Sequence, residues 1–375
     1  MHVTFENTGS TEAFQKQLTV LSENTDVNSI VVLACDENAW KSEDIDPIVS
    51  SASISVFGGV FPQIAYNGRN YSQGTLLIGL PYRSDIGVVE GLSDASATYD
   101  AAIEGWADQW ANEASNRTHF VIVDGLSARI SALVDSLFFT LGLDHNFIGG
   151  GAGSLSFEQT PCVITPEGLR QDVAVLASAP LDSTIGVTHG WSPVSETLTV
   201  TSSDRNIVKS IDWQPAADVY RSLIEANGGE HIAPDNFFDV AKSYPLGIAK
   251  FGTEMVVRDP LMMTEEGYIV CVGEVPEGCS IKLLHGDVDS LITAAGEALN
   301  SAEARRQNLQ EQPGYLLVDC ISRVLFLGEN LHRELDAVGA NGPVFGAFTL
   351  GEIANSGDDY LEFYNKTTVL GILNN

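Results

Sequence analysis

Three stretches of this 375-residue chain run through the same order of events. The first is "SIVVLACDENAW", then "SISVFGGVFPQIAYNGRNY", then "GTLLIGL". The second is "THFVIVDGLSARISALVDSLFFTLG", "NFIGGGAGSLSF" and "QDVAVLAS". The third is "GYLLVDCISRVLFLGENLHREL", "PVFGAFTLGEIA" and "TTVLGIL". Each opens with an apolar, β-rich run that ends on an acid: Asp36, Asp124 or Asp319. In the second and third stretches the apolar spacing then predicts a helix, with Leu126, Ile130, Leu133, Leu137 and Leu141 on one stripe and Ile321, Leu325, Leu331 and Leu335 on the other. Each returns through an apolar residue and small ones, Phe57-Gly58-Gly59, Ile148-Gly149-Gly150 and Phe345-Gly346-Ala347, and closes with an apolar strand after a polar hairpin. The segment from "PAADVYRSLIEANGG" through "YPLGIAK", "EMVVRDPLMM" and "GYIVCVGEV" reads as a decayed fourth copy, with Pro215 opening its helix and Gly228 stopping it.

A duplicated strand-helix-strand-strand unit follows from this order. Runs such as "FVIVD" and "YLLVD" are apolar at almost every position, so both of their faces need cover. The fold class is therefore α/β in the mixed α+β sense: extended sheets with helices outside. The stretch "SAPLDSTIGVTHGWSP" interrupts the pattern and divides the chain into two related domains, residues 1–185 and 186–375. Two further helices are expected, "ATYDAAIEGWADQWANEAS", with Ala102, Trp106 and Trp110 on one core-facing stripe, and "DSLITAAGEALNSAEARRQNLQ".

Charge narrows the partners. Nineteen basic residues against fifty acidic ones give a formal charge of -31, which excludes nucleic acid and anionic membrane surfaces, since both require a basic footprint. The N-terminus lacks a basic and apolar leader pattern, and no window of eighteen apolar residues exists, so a cytoplasmic protein is expected. The five cysteines form no Cys-x-x-Cys pair, so neither a disulfide framework nor a zinc knuckle is indicated.

The cluster Gly149, Gly150, Gly151, Ala152, Gly153 is the first candidate site. It fails as a dinucleotide fingerprint, because Ser154 and a strand-like "LSF" follow where a helix should open, and as a phosphate loop, because no lysine is near. Two readings remain: a bare backbone that lets a ligand approach, or a bulge where two sheets pack. Among seven histidines, His189 in "GVTHGWSPV" has unusual company, Gly190 and Trp191. It suits an axial position on haem iron or a contact to a small ligand; the alternative is a histidine that holds a turn by hydrogen bonds. Arg258 in "VVRDP", Cys320 and Arg323 in "VDCISR", and Glu352 in "TLGEIA" fall at strand ends of the recurring units. If they converge, two arginines and a glutamate hold a zwitterion; otherwise they form buried structural ion pairs. Cys320 at a helix start is also a candidate nucleophile, which makes a cysteine-dependent enzyme the alternative to a sensor, with a purely structural interaction module as the third class.

The ordered motifs "IGGGAGS", "GVTHGWSPV", "VTSSDRNIVKSIDWQPAADVYRSLI", "PLGI", "VVRDP", "VDCISRVLFLG" and "GAFTLGEIA" resemble the FIST family, with its FIST N and FIST C domains, from about Ile30 to Leu373. One departure is "VFGGVFPQIAYNG", standing where many members carry a Gly-Cys-Ser-Thr-like turn. The resemblance implies a non-catalytic sensory protein of signal transduction that binds a small ligand, with amino acids suggested. It implies work beside a separate signalling protein, such as a histidine kinase or a cyclic-di-GMP enzyme. One bacterial subgroup of the family resembles haem-containing nitric-oxide sensors, which makes His189 the candidate haem ligand.

Overall fold

In a computed structural model of the chain, describing residues 1–110, 117–142, 145–233, 235–250, 255–307, 312–355 and 359–374, the recurring order becomes three copies of one unit. In the first copy, strand Ser29–Cys35 pairs in parallel with Ser55–Phe61 on one side and antiparallel with Thr75–Leu80 on the other. The second copy repeats this with Thr118–Asp124, Asn146–Ala152 and Val173–Ala179. The third uses Gly314–Cys320, Val344–Thr349 and Thr368–Leu373. A further antiparallel strand edges each copy: His2–Glu6, Asp85–Glu90 and Ser183–Thr188. The proposed cut after residue 185 falls inside this last strand.

Each polar hairpin leaves its own copy. The hairpin Gln63–Tyr66 and Arg69–Tyr71 of the first copy extends the sheet of the third. Val163–Thr165 and Gly168–Arg170 of the second extend the sheet of the first. Glu352–Ala354 and Glu362–Tyr364 of the third extend the sheet of the second. Three six-stranded sheets of identical order result, linked in a closed ring by exchanged hairpins. All three inner strands are buried along their length, as their unbroken apolar runs require.

Helices cover the outside. The second-copy helix spans Ile130–Leu141 and buries Ile130, Leu133 and Leu137, whereas Leu126 precedes it in the loop. In the third copy the stripe is broken: Ile321–Leu327 stops at Gly328, which takes φ +52, and Leu331–Val338 follows on a new axis, so that Leu325 is 45% exposed instead of core. The first copy also has a helix here, Ser42–Ser50, hidden in sequence by its shortness and by Pro47. Helix Asp100–Trp110 buries Ile103 and Trp110, while Ala102 is exposed, so the inward stripe runs Ile103, Trp106, Trp110. The long helix Val288–Arg305 starts at a capping box in which Asp287 accepts from Ser290 N at 2.7 Å.

The expected fourth copy is not one. Residues 192–285 form an eight-stranded sheet whose pairings are antiparallel throughout, with helices Ala216–Ala226 and Phe237–Ala241 packed on it. Among the described residues no strand-helix-strand crossover to a parallel neighbour occurs in it, so its similar order of helix and apolar runs reflects burial alone. It is inserted in the third copy, between the edge strand Ser183–Thr188 and helix Val288–Arg305.

Candidate ligand-binding site

The loops after Thr118–Asp124 and Gly314–Cys320 meet the inserted sheet at a cavity of about 340 Å³. The second copy supplies Leu126, Ile130, Leu155 and Phe157; the third supplies Cys320, Ser322, Leu325, Leu350, Phe363 and Asn365; the insertion supplies Arg205, Phe238, Asp259, Cys271 and Glu274. Leu155, Phe157, Phe238 and Leu325 are 37%, 52%, 37% and 45% exposed, an unusual concentration of open apolar surface at one mouth.

The wall also carries polar side chains, Ser127, Ser131, Asn206 and Ser322 besides Arg205, Asp259, Glu274 and Asn365. Asn365, only 1% exposed, has no partner for either Oδ1 or Nδ2 among the described residues. Its neighbour Lys366 is fully buried in a turn with φ +53. The Lys366 ammonium donates to Lys242 O at 3.0 Å, lies 3.2 Å from Asp259 Oδ2 and sits 5.0 Å above the Trp191 ring. Asp259 Oδ1 has no partner among the described residues. Burial raises the Asp259 carboxyl, and Lys366 partly offsets that. Cys320 Sγ lies 3.1 Å from Ser322 Oγ, and burial, reinforced by Glu352, pushes the thiol far above its ordinary range. Cys271 is likewise pushed up to about 12 by burial.

The zwitterion clamp expected from Arg258, Arg323 and Glu352 does not assemble. Arg323 is fully buried and faces Glu334, which takes both its Nε and its Nη2, and Asp319 at 3.2 Å. Its remaining N–H groups reach the carbonyls of His189 at 2.7 Å, Leu291 at 3.0 Å and Lys366 at 3.3 Å. Arg258 donates to the carbonyls of Glu274, Val257 and Phe363 at 2.8, 3.0 and 2.9 Å. Five carbonyl and carboxylate partners for Arg323 and three carbonyl partners for Arg258 leave these arginines as internal ties between segments. Glu352 accepts from Thr349 Oγ1 at 2.9 Å and Thr367 N at 3.2 Å, and burial raises it to about 8. Asp319 is driven well above its usual value by burial and by the charge of Glu334.

His189 and Trp191 lie behind this cluster and border neither the large cavity nor the two smaller ones. His189 Nδ1 accepts from Trp191 N at 2.9 Å, and the Trp191 indole donates to Lys366 O at 3.2 Å. Burial first, and then the charge of Arg323, lower His189 to about 4. A ring so enclosed and turned to backbone partners does not fit an axial haem ligand. It ties the turn to the main chain of Trp191, whose indole packs against Phe326.

The glycines are explained by close backbone approach. A Cβ on Gly149 would lie 1.8 Å from Val121 O, and one on Gly58 or Gly346 would meet Val32 O at 1.9 Å or Leu317 O at 1.8 Å. These three positions are equivalent in the three copies, each opposite the middle of its parallel partner. Gly150 and Gly151 face Gly351 O and Leu350 O, at 2.6 and 2.3 Å from an added Cβ, which admits the hairpin lent by the third copy. Gly149 and Gly150 do border a cavity, but it is an apolar void of about 30 Å³ where the three sheets meet. Gly153, also of this cluster, borders a separate pocket between the first and second copies, beside Asp36 and Cys162.

Sequence reasoning thus reached Cys320 of the large cavity and passed over Asn365, Phe157, Phe238 and Phe363. For Asn365 the one signal is "YNKTT", in which it stands beside one of the chain's few lysines ahead of an apolar strand.

An open-mouthed, largely apolar cavity thus lies between a ring of α/β units and an inserted sheet. A family model for the FIST N domain matches residues 29–214, and one for the FIST C domain matches residues 216–355. The chain belongs to the FIST family, whose domains are sensory modules associated with signalling. Comparison with curated proteins finds no significant match. No helix among the described residues is long and apolar enough to cross a membrane.

Proposed function

We propose that this protein is a cytoplasmic sensor that takes a small organic ligand into the 340 Å³ cavity and passes its state to a separate signalling protein, such as a histidine kinase or a cyclic-di-GMP enzyme. The observation that carries the reading is the origin of the walls: the second copy, the third copy and the insertion each contribute, so a ligand touching all three biases how they fit together. The sensor reading is favoured over a cysteine nucleophile by the state of Cys320. A thiol held neutral by burial is a poor nucleophile, and no histidine is among the described residues lining the cavity. A small organic ligand is favoured over haem by the position of His189, outside the cavity.

The test is a thermal-shift screen of metabolites on the wild type and on Leu325→Trp, which fills the mouth with an indole at a position already 45% exposed. Leu325→Trp should stay within about 0.5 kcal/mol of wild-type stability, as surface changes usually do. It should lose every ligand-induced shift that the wild type shows. Equal shifts in both proteins would place the ligand elsewhere.

A further inference from the structure

We infer that the cavity selects an uncharged, mostly apolar small molecule bearing an amide-type edge, an N–H beside a C=O, which pairs with Asn365 while a second N–H reaches Asp259. This rests on the reading of the cavity as the ligand site. Asn365 carries the argument. A buried carboxylate without partners can take up a proton, but an amide has no such escape, and a buried amide left unpaired costs about 1–3 kcal/mol. Asn365 is 1% exposed, lines the cavity, and has neither its donor nor its acceptor engaged among the described residues. An asparagine side chain offers one donor and one acceptor in a plane, which matches a group with the same pair in reverse order, as in asparagine contacts to an adenine edge. Asp259 Oδ1 adds one further acceptor in the same wall.

Charge decides against the other head groups. A carboxylate would need a cation, but Lys366 is held by Asp259 and Lys242 O, and Arg258 by three carbonyls. Arg205 is exposed at the rim. An ammonium aimed at Asp259 would meet the Lys366 ammonium, already 3.2 Å from the same carboxylate. A neutral N–H pays neither cost. The body of the ligand then rests on Phe157, Phe238 and Leu325.

Calorimetry with four molecules of one skeleton tests this: 2-phenylacetamide, phenylacetate, phenethylamine and phenylalanine. The amide should bind at least about tenfold more tightly than the three charged compounds, the size of effect expected of a good bidentate pair. Asn365→Leu, nearly isosteric, should cost the amide at least about tenfold in affinity and at the same time raise the melting temperature of the unliganded protein. A melting temperature lowered by Asn365→Leu with amide affinity unchanged would make Asn365 a structural residue and overturn the inference. Tighter binding of the acid, the amine or phenylalanine would overturn it too, while leaving the cavity as the ligand site if Leu325→Trp abolishes that binding. Binding by none of the four also overturns it. The sensor reading then stands only if the wider metabolite screen gives a shift that Leu325→Trp removes.

Discussion

Arg323 and Asn365 flank Lys366, both buried, yet their polar atoms are used in opposite ways. The guanidinium of Arg323 is consumed by Glu334, Asp319 and three main-chain carbonyls. The amide of Asn365 has no partner among the described residues and borders the cavity. The first arrangement ties the insertion's flanking turn to the third copy and stabilises one geometry. The second leaves binding capacity at a surface where a ligand can use it. The contrast shows that the rarity of a charged residue does not distinguish scaffold from site; the completeness of its partners does.

The sharpest way to break this contrast is Arg323→Met. Removing the guanidinium strands Glu334 and Asp319 in the interior, and loss of one partner of a buried ion pair typically costs about 3–5 kcal/mol. Chemical denaturation should register a loss of that size; a change below about 1 kcal/mol would mean that the cluster is not structural. Lys366→Met should do less, near the lower end of about 3 kcal/mol, because only Asp259 is stranded and it can protonate. Measured beside Asn365→Leu, whose expected effect on stability has the opposite sign, it marks the border between the two regions.

The smallest expected effect is on pH dependence. Glu352 rises from an ordinary value of 4.5 to about 8 in the fold, so the folded state holds a proton that the unfolded chain gives up, and stability falls as pH rises through that window. His189 drops from 6.5 to about 4, so its contribution rises with pH between those values and opposes Glu352 there. Between about pH 6.5 and 8 the Glu352 effect is unopposed by His189, and the melting temperature should decline across it. Glu352→Gln, which stays neutral, should flatten the decline; an unchanged slope would remove Glu352 as its source.

Much of the architecture was readable. Unbroken apolar runs ending at Asp36, Asp124 and Asp319, each followed by a glycine return, mark the three inner strand pairs, and the equivalence of Gly58, Gly149 and Gly346 holds to the residue. The exchange of hairpins was not readable, because "QIAYNGRNY" pairs as well with a local edge as with a distant one. The fourth copy misled for a related reason: burial makes parallel and antiparallel strands look alike in composition. At the site, Arg258, Arg323 and Glu352 drew attention as charged residues beside apolar strands, but their partners are main-chain groups and side chains distant in sequence, which sequence does not display. Asn365 drew none, since an asparagine before a strand reads as a turn residue.

The sequence by itself determined the repeating units, their inner strands and the positions where only glycine lets two backbones meet, because these depend on periodicity and on the size of single side chains. Tertiary structure alone decided which copy receives each hairpin, which charges are spent inside, and that Asn365 and Asp259 share one wall with Phe157 and Phe238. Those outcomes depend on contacts between residues more than two hundred positions apart, as between Asn146–Ala152 and Glu352–Ala354, and such contacts are set by the closing of the ring as a whole.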